Sequence, residues 1–314
     1  MSVRHVLTIG EVGVDWIVRV STLPTRGSNA WCQPPEQHGG GAAANVAVGL
    51  ARLGVPVSFW GKVGDDEHGR FLLDDLTREG IDTSPAQVVP GTFTMMVMAI
   101  VDAEGERTFF TCSQGAAHTK LTPEEIDSDT IAGAAWLHTS GTCLAETPSR
   151  DAILYAMALA RELGVPVWLD VNVCLNREIS PAPFRAALER AVSLAEVVLG
   201  SAEEVTSFAP ASSTEASAQS LAGGGRTVVA RLGSKGALAA SLAGMVVVPA
   251  FPTQVVDTVG AGDAFDAGYI AARIAGLDIE TALRWGNAVA ALKIARPGAR
   301  SLPRRAEVER LLHG

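Results

Sequence analysis

Short, almost wholly apolar runs alternate with longer segments of helical periodicity along most of this chain, and that rhythm constrains its fold more than any other feature. Residues 6–9 and 56–60 are β-rich and free of charge, whereas residues 42–53 and 68–79 carry apolar residues at helical spacing and stop at Gly54 and Gly80. The alternation returns with helices predicted over 150–163 and 182–194 and strands over 165–170 and 197–199. Strands that lack polar alternation bury both faces, and only a parallel sheet covered by helices on both sides offers that. The fold class is therefore α/β, with a parallel central sheet flanked by helices.

Two regions depart from the rhythm. Residues 14–20 with 30–33, and 92–101 with 107–111, read as extended pairs with no helix between them, the second closed by a turn at Ala103-Glu104-Gly105-Glu106. Together they predict a small antiparallel sheet, drawn from about 12–36 and 91–113, projecting from one domain that spans 1–314. So small a sheet buries little of itself, so it either closes over a ligand or packs on a second copy. Further strands are predicted over 227–231, 237–241 and 246–249, then a long helix over 264–274 and a helical C-terminal region.

Composition narrows the functional classes. With 47% hydrophobic and 19% charged residues, the chain buries a sizeable core and global disorder is excluded. A net charge of -9 without a basic tract argues against a nucleic-acid partner, and an anionic ligand would need a local positive site. Cys32, Cys112, Cys143 and Cys174 lie far apart and read as reduced thiols rather than a disulfide framework. No apolar run reaches membrane-spanning length and no secretory leader is evident, so a cytoplasmic protein with no membrane partner is expected.

The segment Asp257-Thr258-Val259-Gly260-Ala261-Gly262-Asp263 passes from an extended stretch through a small-residue turn into a helix. Small residues let the backbone approach a phosphate closely, and the free amides of a helix's first turn form an anion cup. The amides of Ala261, Gly262 and Asp263 would face that anion, and the Asp263 carboxylate at the rim could accept the proton of an attacking hydroxyl. An Asp near a helix start is as often a simple cap, and the turn by itself leaves the two roles balanced.

This turn resembles the carboxy-terminal signature of the ribokinase-like, or PfkB, family of carbohydrate and nucleoside kinases. Some two hundred residues earlier, Gly39-Gly40-Gly41-Ala42-Ala43-Ala44-Asn45, followed by Gly61-Lys62-Val63-Gly64-Asp65-Asp66, is similar to the family's first signature. Two long signatures in the right order are specific, and the resemblance extends over the whole chain. It implies an ATP-dependent phosphotransferase acting on a primary hydroxyl of a small sugar-like substrate. Asp263 would be the base, and Gly260, Ala261 and Gly262 the anion hole. Asp15, Gly40, Gly41 and Asn45 would hold the substrate, with Arg107 of the second extended pair on the same side. On the nucleotide side stand Ser201, Arg231, Gly233, Gly236 and Asn287, with Mg2+ held through Glu204 and water. A monovalent cation such as K+ would sit at Asp257 and the 296–301 loop, which is altered here, so the ion is left open. The resemblance also implies a homodimer formed through the small sheet.

Departures from the family pattern bear on the substrate. Ser201 replaces an Asn, Arg231 a common Thr, and Cys174 an Arg after Asp170 and Asn172, for which Arg177 is a weak substitute. The frame of Asp15 to Pro24 and Gly27 favours ribose or a nucleoside, while Ser201 and Arg231 lean towards a 2-keto-3-deoxy sugar acid and the Arg lost at Cys174 leans against one; ketohexoses stay open. The reading from another class is a non-catalytic sugar-binding regulator, which intact Asp263 and Gly262 oppose. Other signals are weaker. Gly39-x-Gly41-x-x-Ala44 follows Pro34-Pro35-Glu36-Gln37-His38 rather than a buried strand, so it is no dinucleotide fingerprint. The chain lacks a phosphate loop of the Gly-Lys-[Ser/Thr] type and a Gly-x-Ser-x-Gly elbow, and Asp65-Asp66-Glu67 reads as a helix start. The six His residues show no metal-ligand spacing.

Overall fold

The uninterrupted apolar runs pair inside an eight-stranded sheet, where their lack of alternation requires them to be. The structure is a computed structural model that describes residues 5–173 and 180–314. In chain order its first strands are β1 (His5–Ile9), β2 (Gly13–Arg19), β3 (Glu36–Gly40), β4 (Val57–Trp60) and β5 (Lys62–Gly64). Then come β6 (Gln87–Val89), β7 (Met96–Val101), β8 (Arg107–Cys112), β9 (Ala134–Ser140) and β10 (Val167–Asp170). The last four are β11 (Val197–Ser201), β12 (Thr227–Arg231), β13 (Ala237–Ser241) and β14 (Gly244–Val248). The helices are α1 (Ala42–Arg52), α2 (Glu67–Arg78), α3 (Ser128–Gly133), α4 (Ser149–Glu162) and α5 (Ala182–Leu194). They continue with α6 (Ala202–Phe208), α7 (Thr214–Ala222), α8 (Ala261–Ile274), α9 (Ile279–Ile294) and α10 (Arg305–His313).

The large sheet runs β14-β13-β12-β11-β10-β9-β1-β4, parallel from β12 to β4, with β13 and β14 folding back antiparallel at one edge. Successive residues of one strand feed opposite cores. Leu7, Leu169, Val198 and Val228 pack with Ile153 of α4, Leu188 of α5 and Ala218 of α7. Val6, Trp168, Leu199 and Val229 pack with Val46 of α1, Ile270 of α8 and Val289 of α9. That two-sided burial is the reason the strands are apolar throughout. It also aligns the last residues of β10, β11 and β12, namely Asp170, Ser201 and Arg231, at the carboxyl edge of the sheet.

A second, four-stranded sheet has the order β3-β2-β7-β8. Each predicted pair is antiparallel, and the two pairs meet along a parallel seam between β2 and β7. The strand expected at 30–33 is instead β3 at Glu36–Gly40; only an isolated bridge, Val20 with Cys32, survives at the predicted place. Pro34 and Pro35 have no N–H to give a ladder, so the strand begins after them. A short parallel pair, β5 with β6, lies apart from both sheets.

Three further differences from the sequence reading have local causes. β9 was not predicted, since its Ala, His, Thr and Ser dilute the apolar signal, yet it lies between β1 and β10 with His138, Thr139 and Ser140 buried. α7 arises from a small-residue tract because Ser213 caps it, accepting from the amide of Ala216. α8 starts at Ala261, three residues before the predicted 264, because Gly260 turns the chain into the helix in the left-handed conformation, φ 76°.

Candidate active site

The turn between Asp257 and Asp263 is built around Gly260. Its left-handed φ favours glycine, and a Cβ there would lie 2.9 Å from the Ala299 carbonyl oxygen. The Ala264 N–H donates to the Gly260 carbonyl at 2.9 Å and opens the helix. Ala261 behaves otherwise than expected, since its amide donates to the Thr258 carbonyl at 3.1 Å and faces into the turn. The amides of Gly262 and Asp263 have no backbone partner among the described residues, so two amides rather than three are left free to face an anion.

Asp263 is buried, and its Oδ2 accepts a hydrogen bond from Asn45 Nδ2 at 2.8 Å, across 218 positions of sequence. Burial pushes its pKa up to about 7; Asp170 and Glu11 add to the rise, while the Asn45 bond and Arg231 oppose it. Asn45 is itself oriented, because its Oδ1 accepts from Arg300 Nε at 3.1 Å. Arg300 also donates to the Gly40 carbonyl at 3.0 Å and is paired with Asp75 at 2.6 Å. Asp15 on β2 lies close to this arginine; burial raises its pKa to about 6 against the pull of Arg300 and His38.

The glycines beside these groups make room for them. A Cβ on Gly39 would sit 1.9 Å from Arg300 Nη1, and one on Gly40 would sit 2.5 Å from Asp15 Oδ2. Gly41 precedes α1 at φ 92°, where a Cβ would meet the Glu11 carbonyl at 2.6 Å. Arg300 thus joins Gly40 and Asn45 beside Asp15, and Asn45 carries the link on to Asp263. Sequence reasoning did not single out this arginine, and nothing local to it announces its position.

Two clefts flank the turn, which forms the wall between them. The smaller, of about 170 Å³, is lined by Asp15, His38, Arg107, Phe109, Asp257 and Val259. The larger, of about 670 Å³, is lined by Thr258, Ala261 and Gly262 together with all five residues assigned to the nucleotide: Ser201, Arg231, Gly233, Gly236 and Asn287. Gly236, at φ 99°, brings its backbone against the Val248 carbonyl, where a Cβ would lie at 2.0 Å. Asn287 fixes the same edge, donating from Nδ2 to the carbonyls of Val248 at 3.3 Å and Pro249 at 3.1 Å.

Three assigned residues are more constrained than expected. Arg231 is no surface charge, since it pairs with Asp170 at 2.9 Å, Asp266 at 2.7 Å and Glu204 at 3.3 Å, with 13% of its side chain exposed. Burial opposes its charge, but the surrounding carboxylates outweigh burial and raise its pKa. Glu204 closes a capping box on α6, accepting from the Ser201 amide at 2.6 Å while its own amide donates to Ser201 Oγ at 3.1 Å. Asp257 accepts from Arg107 at 2.8 Å, from the Val259 amide at 2.9 Å and from the Gly298 amide at 2.8 Å. Burial would raise its pKa, but those bonds outweigh it and hold it low.

Asp266, fully buried one turn beyond Asp263, was missed; burial first, then Asp170, raises its pKa well above the ordinary carboxylate value. The signal was available, because an acid three positions after Asp263 falls on the same face of an otherwise apolar helix. Asp66 caps α2 through the Gly69 amide at 2.8 Å, in keeping with a helix start. Asn172 adopts φ 47° beside Ser140, whereas Cys174 and Arg177 lie outside the described residues. Among the described residues no group of three or more His, Cys, Asp or Glu side chains is arranged to hold a metal ion. No helix among them is long and apolar enough to cross a membrane.

A parallel sheet's carboxyl edge here meets a glycine-rich helix start between a small cleft and a larger one, an arrangement suited to phosphoryl transfer to a small molecule. The chain belongs to the pfkB family of carbohydrate kinases, whose model matches residues 3–305. It is 33% identical over 285 residues to the 5-dehydro-2-deoxygluconokinase of Bacillus licheniformis, covering 87% of this chain and 86% of that protein. An E. coli chain solved in complex with ATP and Mg2+ matches with a TM-score of 0.88 at 28% identity, covering 99% of each chain. A double mutant of the fructokinase of Vibrio cholerae O395, in a fructose-, ADP- and potassium-bound form, matches with a TM-score of 0.82 at 32% identity, again over 99% of each chain.

Proposed function

We propose that this kinase transfers the γ-phosphoryl group of ATP to a primary hydroxyl of a neutral, ribose-like sugar. One observation carries the reading: the turn that ends in buried Asp263 is the partition between a large cleft and a small one that sets Asp15, His38 and Arg107 on otherwise apolar walls. The sugar occupies the small cleft beside Asp15, with its hydroxyls turned to that carboxylate and to the adjoining Gly40–Asn45 segment. ATP lies in the large cleft, along Ser201, Gly233, Gly236 and Asn287. Asp263 takes the proton of the primary hydroxyl as its oxygen attacks the γ-phosphorus, and the bond to the β,γ-bridging oxygen breaks to release ADP. The Gly262 and Asp263 amides stabilise charge on the transferring group. Mg2+ suits this donor set, since that ion keeps several waters and relies on one or two carboxylates plus substrate phosphates. Glu204 would hold it through water, offsetting phosphate charge.

The charge balance of the small cleft supports a neutral substrate. Arg107 is neutralised by Asp257 and Arg19 by Glu36, while Asp15 adds a carboxylate of its own. A sugar acid is the second reading, favoured by the Bacillus licheniformis relative. ADP release measured with ribose, fructose, a nucleoside and 5-dehydro-2-deoxygluconate separates these readings. Ribose is expected to give the highest kcat/KM. Preference for the acid would overturn the neutral reading, and sugar binding in calorimetry without ADP release would point to the regulator.

The four-stranded sheet serves as lid and dimer face in this proposal. Phe109 lines the small cleft, while its neighbour Phe110 points to the other side of β8 and is 57% exposed. Exposed aromatic surface beside free sheet edges favours pairing with a second copy. A mass twice that of the chain is expected by light scattering at micromolar concentration; a monomeric mass would refute the dimer. Exposed thiols at Cys32 and Cys112 suit the reducing cytoplasm, where we place the enzyme.

A further inference from the structure

A potassium ion accompanies fructose and ADP in the Vibrio cholerae structure, and the family resemblance locates a monovalent-cation site of this chain at Asp257 and the 296–301 loop. The residues there do not fit such an ion. Lys293, next to last in α9, has no exposed surface, and its Nζ donates to the Asp257 carbonyl at 2.7 Å while standing 3.9 Å from Asp257 Oδ1. The oxygens a metal ion would need are taken. Asp257 Oδ1 accepts from Arg107 and the Val259 amide, and Oδ2 accepts from the Gly298 amide. Within the loop, the Ser301 hydroxyl donates to the Gly298 carbonyl at 2.8 Å. A metal cation placed among these groups would face the ammonium of Lys293 and the guanidinium of Arg107 at short range, with like charges poorly screened by water.

Resting on the kinase reading, we infer that the Lys293 ammonium is a built-in replacement for the monovalent cation, so that this enzyme works without potassium. Its place in the fold gives it that role. The amides of Val256 and Asp257 both donate to the Ile294 carbonyl, at 2.7 and 3.0 Å, so the catalytic turn begins on the last residues of α9. Carbonyl groups at a helix C-terminus carry partial negative charge and favour a cation, which Lys293 supplies from the helix itself. The ammonium thereby ties the first residue of the turn to α9, and Gly298 ties its carboxylate to the following loop. Lys293 is a positioning residue: it touches neither the sugar nor the phosphates, and acts by holding the turn that presents the Gly262 and Asp263 amides. A fully buried lysine in a helix of alanines and leucines is costly unless its charge is used.

The test compares KCl with tetramethylammonium chloride at equal ionic strength, reading both thermal melting and turnover. The wild-type protein is expected to melt at the same temperature in both salts and to turn over at rates within about twofold, a difference worth less than one acid–base contact. Lys293→Ala removes the charge and opens space for an ion. It is expected to lose activity about 10- to 100-fold without potassium, as for loss of a group that orients the site, and to regain both melting temperature and activity in KCl. Should the alanine variant not fold, Lys293→Gln carries the same test. Potassium that stabilises or activates the wild type severalfold overturns the inference. So does a variant whose melting and activity ignore potassium. The melting arm needs no sugar, so it decides the matter even if the kinase reading fails for want of a substrate.

Discussion

Asp263→Asn is expected to fold, bind ATP and lose about 100- to 10,000-fold of its turnover, the usual cost of removing a general base. The substitution leaves the site's geometry intact, because an asparagine oxygen can accept the Asn45 hydrogen bond that Asp263 Oδ2 accepts at 2.8 Å. In the wild type the base must be ionised to work, and burial has raised its pKa to about 7. The rate kcat/KM should therefore climb with pH and level off above about 7, with that limb abolished in the variant. Stability moves the other way. A carboxyl whose folded pKa lies above its unfolded value binds its proton more tightly when folded, so its contribution is full below about 4 and is lost as pH rises through about 7. At pH 8 the buried carboxylate costs the free enzyme on the order of 4 kcal/mol by this linkage. Asp263→Asn should accordingly melt higher than the wild type at pH 8 and lose that advantage near pH 4. A variant with near-normal turnover would sink the assignment of Asp263 as base.

The parts of this molecule that were legible in the sequence are those whose cause is local. Strands buried on both faces announce themselves through unbroken apolar runs, as at β10 and β11. The glycine turn is legible because φ 76° at Gly260 and close approach at Gly40 each favour a particular residue in a particular place. β9 escaped because a strand deep in the sheet carries His138, buried with both ring nitrogens unpartnered and its pKa pushed down to about 4 by that burial. Its apolar run, Ala134-Ala135-Trp136-Leu137, gives way at once to three polar residues, so the segment does not stand out.

The candidate site was half legible for the same reason. Asp15, Asn45 and Asp263 lie in motifs, but the arginine that links them is a single letter far away, Arg300, whose partners Gly40, Asn45 and Asp75 come from other elements. Its role exists only once β3, α1 and α2 have met. Lys293 is an intermediate case. A lone charge among Ala288, Val289, Ala290, Ala291 and Leu292 invites attention, yet only the fold shows that it faces Asp257.

Arg231→Met should lower the stability of the free enzyme by about 3–5 kcal/mol, the range seen when one partner of a buried ion pair is removed. For a protein of this size that is a fall in Tm on the order of 10 °C. The argument is electrostatic rather than steric, since methionine fills much of the same volume. Arg231 is the cation shared by Asp170, Asp266 and Glu204, and the first two are 2% and 0% exposed. Asp266 holds its proton readily, because burial, then the neighbouring Asp170, raises its pKa well above the ordinary value. Without the guanidinium, the buried carboxyl groups of Asp170 and Asp266 lose the cation that faces them. The variant's deficit should grow with pH, since Asp266, a buried acid with a raised pKa, stabilises the fold only while protonated. Adding Asp170→Asn should return part of the lost stability, because it removes the charge left stranded. A second role for Arg231 predicts a different pattern. If its main task were to touch a phosphate in the large cleft, Arg231→Met would leave the free enzyme's Tm unchanged and raise only the KM for ATP. Melting curves without nucleotide, set beside KM for ATP, therefore distinguish an arginine that holds the carboxyl edge of the sheet together from one that waits for the phosphate.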